Sequence, residues 1–236
     1  MSHDWHDSST ARRWDSNSSR TNPTRSEQLD VLVSVLAALW RPGAWLLDLG
    51  FGSGQVEQRI FERIPEARVV GVDSSEAMMA IARARLVDYG DRFTSVRHDL
   101  AALEGAPLPD RRYQFAIAVQ SLHHLAEPEM RAAYRFVHGR LDPGGVFLLL
   151  DRLKVEDEAT WPLLRAVWER QDRVFGVPAA AHEGRDFADH QRTVRARGDY
   201  PVLLDQHLLW LREAGFTPAC LHLHGHRGLI AAAKAG

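Results

Sequence analysis

Apolar residues fall along this chain in short continuous runs separated by stretches with helical spacing. The runs are 45–49, 69–72, 114–119 and 146–150, and 94–97 reads as a further short strand. Ahead of the first, Leu29, Leu32, Val33 and Leu36 recur at i, i+3, i+4 and i+7, which predicts a helix. It opens at Thr24, whose spacing to Glu27 is that of a capping box, and closes before Pro42. Val56, Ile60 and Ile64 predict a second helix, and Asp73 with Glu76 caps a third that runs to about Leu86. After Glu127, the positions of Met130, Ala133, Tyr134 and Val137 predict another, broken by Asp142-Pro143-Gly144-Gly145. Strands that are apolar at nearly every position bury both faces, so their alternation with helices predicts a parallel sheet covered on both sides.

The two flanks depart from this rhythm. Residues 1–22 are rich in Ser, Asp, Arg and His and lack apolar periodicity, so alone they cannot offset the entropy of ordering. Trp5 and Trp14 leave two readings for residues 1–28, a solvated tail or a lid, set apart from one domain over 29–236. Residues 155–200 hold two charged, helix-like stretches split by Gly176-Val177-Pro178, and a helix over 203–214 ends at Gly215. Runs at 219–223 and 229–233, joined through Gly225-His226-Arg227-Gly228, give a hairpin signal. Trp161, Trp168 and Trp210 are read as core or lid packing.

Composition narrows the function. The chain has 236 residues, enough for one substantial core, and 29 basic against 31 acidic side chains leave a formal charge of −2. No global positive field favours nucleic acid, so a small-molecule partner is expected. Cys220 is the single cysteine, which excludes an internal disulfide and a cysteine-based zinc cluster and points to a reducing compartment, the cytoplasm. His3, Asp4, His6 and Asp7 stand where a signal peptide would be apolar, and no later run is long enough to span a bilayer. A monomer or homodimer is expected. No metal site is expected either: His222, His224 and His226 alternate, but Gly225 ends the strand and no carboxylate accompanies them, so they read as surface or edge-strand histidines.

The chemistry concentrates in Asp48-Leu49-Gly50-Phe51-Gly52-Ser53-Gly54, between a strand and a helix. Its glycines let the backbone turn sharply and meet a ligand without an intervening Cβ. Asp73, ending the next strand, can accept from both hydroxyls of a ribose, which implies nucleoside binding. A dinucleotide site wants Gly-x-Gly-x-x-Gly with a helix N-terminus aimed at a diphosphate. Here the pattern is Asp-x-Gly-x-Gly-x-Gly, and Asp48 would repel a diphosphate but suit an ammonium and a sulfonium.

On these motifs the sequence resembles the class I S-adenosylmethionine-dependent methyltransferases, over roughly residues 28–153 and again over 203–234. The resemblance implies a Rossmann-like three-layer sandwich: a seven-stranded, mostly parallel sheet, a C-terminal antiparallel hairpin and a helical lid insertion at 155–200. It implies S-adenosylmethionine as cofactor, with Gly50, Phe51, Gly52 and Gly54 on the methionine and sugar portions and Asp48 on the amino group. It places Asp73 on the ribose, Ser74 and Met78 beside the adenine, Asp99 and Leu100 as adenine clamp, and Gln120 and Ser121 at the methionine side and methyl approach. His124, of the pair His123-His124, is the candidate to meet the acceptor, since imidazole best takes a proton near neutral pH. The acceptor atom is O, N, S or C. Near Arg192 and over 207–216 the spacing is also similar to carboxy-S-adenosylmethionine synthases of tRNA modification, in which a lid arginine meets the added carboxylate. A catalytically idle nucleoside-binding module is the remaining alternative.

Overall fold

The structure is a computed structural model that describes residues 5–236. His3 and Asp4 of the N-terminal reading lie outside the described residues. Seven strands form one sheet: β1 Leu46–Leu49, β2 Val69–Asp73, β3 Phe93–Arg97, β4 Tyr113–Val119, β5 Leu141–Arg152, β6 Phe216–His224 and β7 Arg227–Lys234. Their order is β3-β2-β1-β4-β5-β7-β6. Strands β1 to β5 pair in parallel, and β7 pairs antiparallel with both β5 and β6, so six strands run one way and β7 against them. The parallel core and the C-terminal hairpin are those that the apolar runs and the hairpin signal predicted, and the seven-stranded sheet is the one that the resemblance implied.

Nine helices surround the sheet among the described residues: α1 Ser8–Thr21, α2 Arg25–Leu39, α3 Gln55–Arg63, α4 Glu76–Arg85, α5 Glu127–Arg140, α6 Trp161–Phe175, α7 Ala179–His182, α8 Phe187–Arg197 and α9 Leu204–Glu213. Because strand side chains alternate in direction, the central strands feed two separate cores. On one face Leu47, Leu49, Ala116, Ala118, Phe147 and Leu149 meet Met130, Tyr134 and Val137 of α5 and Leu211 of α9. On the other, Leu46, Phe115, Ile117, Leu148 and Leu150 meet Leu29, Leu32 and Leu36 of α2 and Val56 and Ile60 of α3. The chain winds outward from β1 to β3, then returns to place β4 on the other side of β1. That reversal opens a crevice at the carboxyl ends of β1 and β4, where open α/β sheets bind ligands.

Several local expectations need correction. Residues 8–21 form a helix despite lacking an apolar stripe, because the Asp7 carboxylate caps its start, accepting from the Thr10 N–H at 2.7 Å, and polar contacts hold its body. Thr24 makes no capping box: its hydroxyl donates to Asn22 Oδ1 at 3.0 Å, and Asn22 in turn donates to Gln28 Oε1 at 3.1 Å. Helix α4 is capped by Ser75, whose Oγ accepts from the Met78 N–H, which leaves Asp73 outside the cap. A short third helix, α7, follows Pro178 in the charged segment. No helix of the described residues is long and apolar enough to cross a membrane.

Candidate active site

The glycine turn closes the end of β1. Gly50, Gly52 and Gly54 all adopt positive φ (85°, 57° and 78°), which L side chains resist. The Gly50 N–H donates to Val72 O, and Ser121 Oγ donates to Leu49 O at 2.6 Å, tying the turn to β2 and to the end of β4. A Cβ on Gly50 would stand 2.4 Å from Ser121 Cβ and 3.4 Å from Leu100 Cδ1. These three predicted residues therefore converge. Asp73 joins them: one carboxylate oxygen accepts from the Gly52 N–H and the other from the Ser75 N–H, each at 2.8 Å. Burial raises the Asp73 carboxyl above its ordinary range, against the pull of those backbone donors.

Asp48 is buried beneath the turn, facing Glu57 from the first turn of α3, also fully buried. None of their four carboxylate oxygens finds a hydrogen-bond donor among the described residues. Burial, reinforced by the charge of Glu57, pushes Asp48 well above the carboxylate range, and Glu57 is raised by burial too. Two facing acceptors can close only over a shared proton or a cation.

A buried guanidinium lies nearby. Arg25, at the start of α2, donates from Nη1 to Gln120 Oε1 at 2.7 Å, while its Nε has no partner among the described residues. Burial, with Arg59 and Arg227 adding, lowers it to about 10, and Glu57 opposes that drop. Gln120 itself carries a positive φ of 56°, the one non-glycine residue to do so among the described residues. Strain of that kind persists only where the surroundings impose it.

The remaining predicted residues divide. Met78 is buried and Ser74 half-buried at the start of α4. Asp99 is exposed and caps the 3-10 turn Leu100–Gly105, accepting from the Ala101 N–H at 3.0 Å. Phe51 packs its ring over Gly71 and against Phe93, Met79 and Ala82, so toward the turn it offers backbone alone. Arg192 is exposed on α8 and pairs with Asp189 at 3.2 Å, and among the described residues no contact brings it to the glycine turn.

Helix α1 roofs the turn. Asp15 accepts from Ser53 Oγ and Gln55 Nε2, both at 2.6 Å, and forms a two-pronged pair with Arg85 of α4. Ser75 Oγ donates to Trp5 O, and the Trp14 ring lies under the Arg25 guanidinium. Trp5 also meets His124, ring centroids 5.9 Å apart. His123 is buried, its Nδ1 on Asp151 at the end of β5, and its N–H donates to the same carboxylate at 3.0 Å. His124 Nδ1 lies 3.2 Å from Asp199.

Helices α6 to α8 are fastened through Glu183. It meets Arg152 of β5 at 3.2 Å, Arg227 of β7 at 3.3 Å and His226 at 3.3 Å, all of them buried. His226 is thus no surface histidine; burial drives it to about 3. Although burial acts to raise Glu183, the Arg152 charge, with His226 and Arg227 beside it, holds it well below the carboxylate range. Glu183→Ala leaves two buried guanidiniums uncompensated and is expected to cost about 3–5 kcal/mol in urea unfolding. Limited proteolysis should then cut first within 155–200. Because Glu183 is depressed in the fold, its contribution is present above the ordinary glutamate range and fades as pH falls through its folded value.

The sheet order and the glycine turn define the protein's class, a Rossmann-like fold with a crevice at its switch point. A family described as "Methyltransferase domain" matches residues 46–145. Trans-aconitate 2-methyltransferase of Methylobacterium nodulans is 31% identical over 79% of this chain and 65% of its own length. A carboxy-S-adenosyl-L-methionine synthase of Wolinella succinogenes is 26% identical over 52% of this chain and 50% of its own. The structure of an O-methyltransferase family protein from Burkholderia thailandensis superposes with a TM-score of 0.71 at 18% identity, over 98% of this chain and 61% of that one. Residues 46–145 match that methyltransferase family, and the chain as a whole is similar to class I S-adenosylmethionine-dependent methyltransferases. It spans half to two thirds of the length of these relatives.

Sequence reasoning missed Arg25, Glu57, Asp15, Asp151 and Asp199. Glu57, one helical turn past the glycines, and Asp151, ending an apolar strand, carried a readable signal. Asp15, Arg25 and Asp199 carried none, since only tertiary packing brings them to the crevice.

Proposed function

We propose that the protein transfers the methyl group of S-adenosylmethionine to an O, N, S or C nucleophile of a small molecule. The observation that carries this reading is the buried carboxyl pair Asp48–Glu57, without hydrogen-bond donors among the described residues, beneath a side-chain-free turn. Such a pair suits an ammonium group and repels a diphosphate, so the residues fit this cofactor. When bound, the cofactor supplies a methyl already activated by a sulfonium. Asp48, backed by Glu57, holds the amino group; Arg25 and Gln120 meet the carboxylate. Backbone at Gly50, Phe51, Gly52 and Gly54 supports the methionine and sugar portions, and Asp73 accepts from the ribose hydroxyls. Ser74 and Met78 flank the adenine, Asp99 and Leu100 clamp it, and Ser121 shapes the methyl approach.

Methyl transfer is an in-line displacement, so alignment supplies much of the barrier reduction. His124 and Trp5 face the acceptor side, and residues 5–28 with 155–200 act as covers that exclude water. The balanced charge and the small-molecule names among the relatives support a small acceptor. We place the protein in the cytoplasm as a monomer or homodimer. Native mass spectrometry of the purified chain should show a one-to-one adduct with S-adenosylmethionine or S-adenosylhomocysteine. Labelled methyl should then pass to a panel of small acids and hydroxy compounds. A chain that binds neither nucleoside removes the proposal, and one that binds them but turns over no acceptor reduces it to an idle binding module.

A further inference from the structure

His123, His124 and Asp199 bring their ligating atoms within 4.8 Å of one another. His123 Nε2 stands 3.8 Å and His124 Nδ1 3.2 Å from the same oxygen, Asp199 Oδ1. That oxygen is buried and makes no hydrogen bond among the described residues. Its neighbour Oδ2 faces Arg152 Nη1 at 3.9 Å, and Arg152 itself is committed to Glu183.

Asp151 engages His123 Nδ1 and also accepts from the His123 and Arg152 N–H groups. That contact turns Nε2 toward Asp199. Two imidazole nitrogens and a carboxylate oxygen thus converge in the interior, an arrangement that a cation can bridge. A carboxylate behind the far ring nitrogen is also the usual support of a metal-bound histidine, since it fixes the ring and raises its basicity.

We propose that His123 Nε2, His124 Nδ1 and Asp199 Oδ1 bind one divalent transition metal ion of the imidazole-preferring kind, such as zinc. Two histidines with one carboxylate is a donor set for such ions, with a position left over for water or a substrate oxygen. Ligand atoms of one tetrahedral zinc stand about 3.3 Å apart, closer than the 3.8 Å between His123 Nε2 and Asp199 Oδ1, so the histidine rings must turn toward the ion to complete the site. Asp199 also lines a cleft of about 460 Å³ with Tyr200, Lys154 and Val155. This assignment replaces the sequence expectation of no metal, and it rests on these side chains and not on the cofactor reading.

The test uses the whole chain stripped with a chelator and reloaded with zinc or cobalt(II). Elemental analysis after dialysis should return one ion per chain, and cobalt should give visible absorption of nitrogen–oxygen coordination. His124→Ala and Asp199→Asn should each weaken binding at least tenfold. Asp151→Asn, which touches no metal, should weaken it about 10–100-fold, whereas His222→Ala should change nothing. Loss of zinc in His222→Ala with retention in His124→Ala would place the ion on β6 and overturn the proposal. Nitrogen NMR of the wild-type chain settles the matter without any variant. With zinc present, His123 protonated on both ring nitrogens would show an imidazolium between two carboxylates and no metal, whereas a single Nδ1 proton supports the site.

Discussion

Asp73→Ala is expected to weaken S-adenosylhomocysteine binding by two to four orders of magnitude in isothermal titration, while the chain still folds. A hydrogen bond to a charged acceptor is worth about 1.5–3 kcal/mol, and two ribose hydroxyls would be released together, so about 3–6 kcal/mol is at stake. Part of any loss could arise from the turn, because the Asp73 carboxylate also accepts from the Gly52 and Ser75 N–H groups. Asp73→Asn separates the two effects. It keeps the side chain's size and one acceptor, so it should hold the turn yet bind with intermediate affinity. Burial raises Asp73, so binding should also fall as pH drops through its elevated value, where the protonated group can no longer accept from both hydroxyls. Wild-type affinity in Asp73→Ala would remove the ribose assignment.

The parallel character of the sheet was legible because buried parallel strands leave runs that polar patterning cannot imitate. Val69 to Val72 and Ala116 to Val119 are apolar at nearly every position, since each strand feeds two cores at once. The glycine turn and Asp73 were legible because backbone geometry restricts which residues can stand there. Helix α1 was not, because what orders it is a set of polar contacts from Asp15 to Ser53, Gln55 and Arg85, and those leave no periodic signature. The same holds for Arg25, a polar residue on an otherwise apolar helix that meets Gln120 only once α2 packs beneath β4. His226 was misjudged for a related reason. The Gly225 turn exposes nothing in isolation, and the buried Glu183 that receives the histidine comes from a segment 43 residues earlier in the chain.

The glycines of the turn offer the sharper discrimination, because they are required for different reasons. At Gly50 an added methyl would press 2.4 Å from Ser121 Cβ at a φ of 85°. Gly50→Ala should therefore lose about 2–4 kcal/mol of stability, the sum of left-handed strain and overpacking. Ser121→Gly removes the opposing Cβ, so adding it to Gly50→Ala should restore part of that stability, leaving the strain and the loss of the Ser121 Oγ–Leu49 O hydrogen bond. At Gly52 the same methyl meets nothing within 4 Å, although φ is 57°. Gly52→Ala should therefore cost only about 1–2 kcal/mol in unfolding, yet if the space above it seats the nucleoside, affinity should fall at least a hundredfold. A well-folded Gly52→Ala chain with unchanged affinity would show that the open face of the turn is not where the ligand sits. Stability and binding thus move independently at two positions two residues apart, a separation that a purely structural turn would not produce.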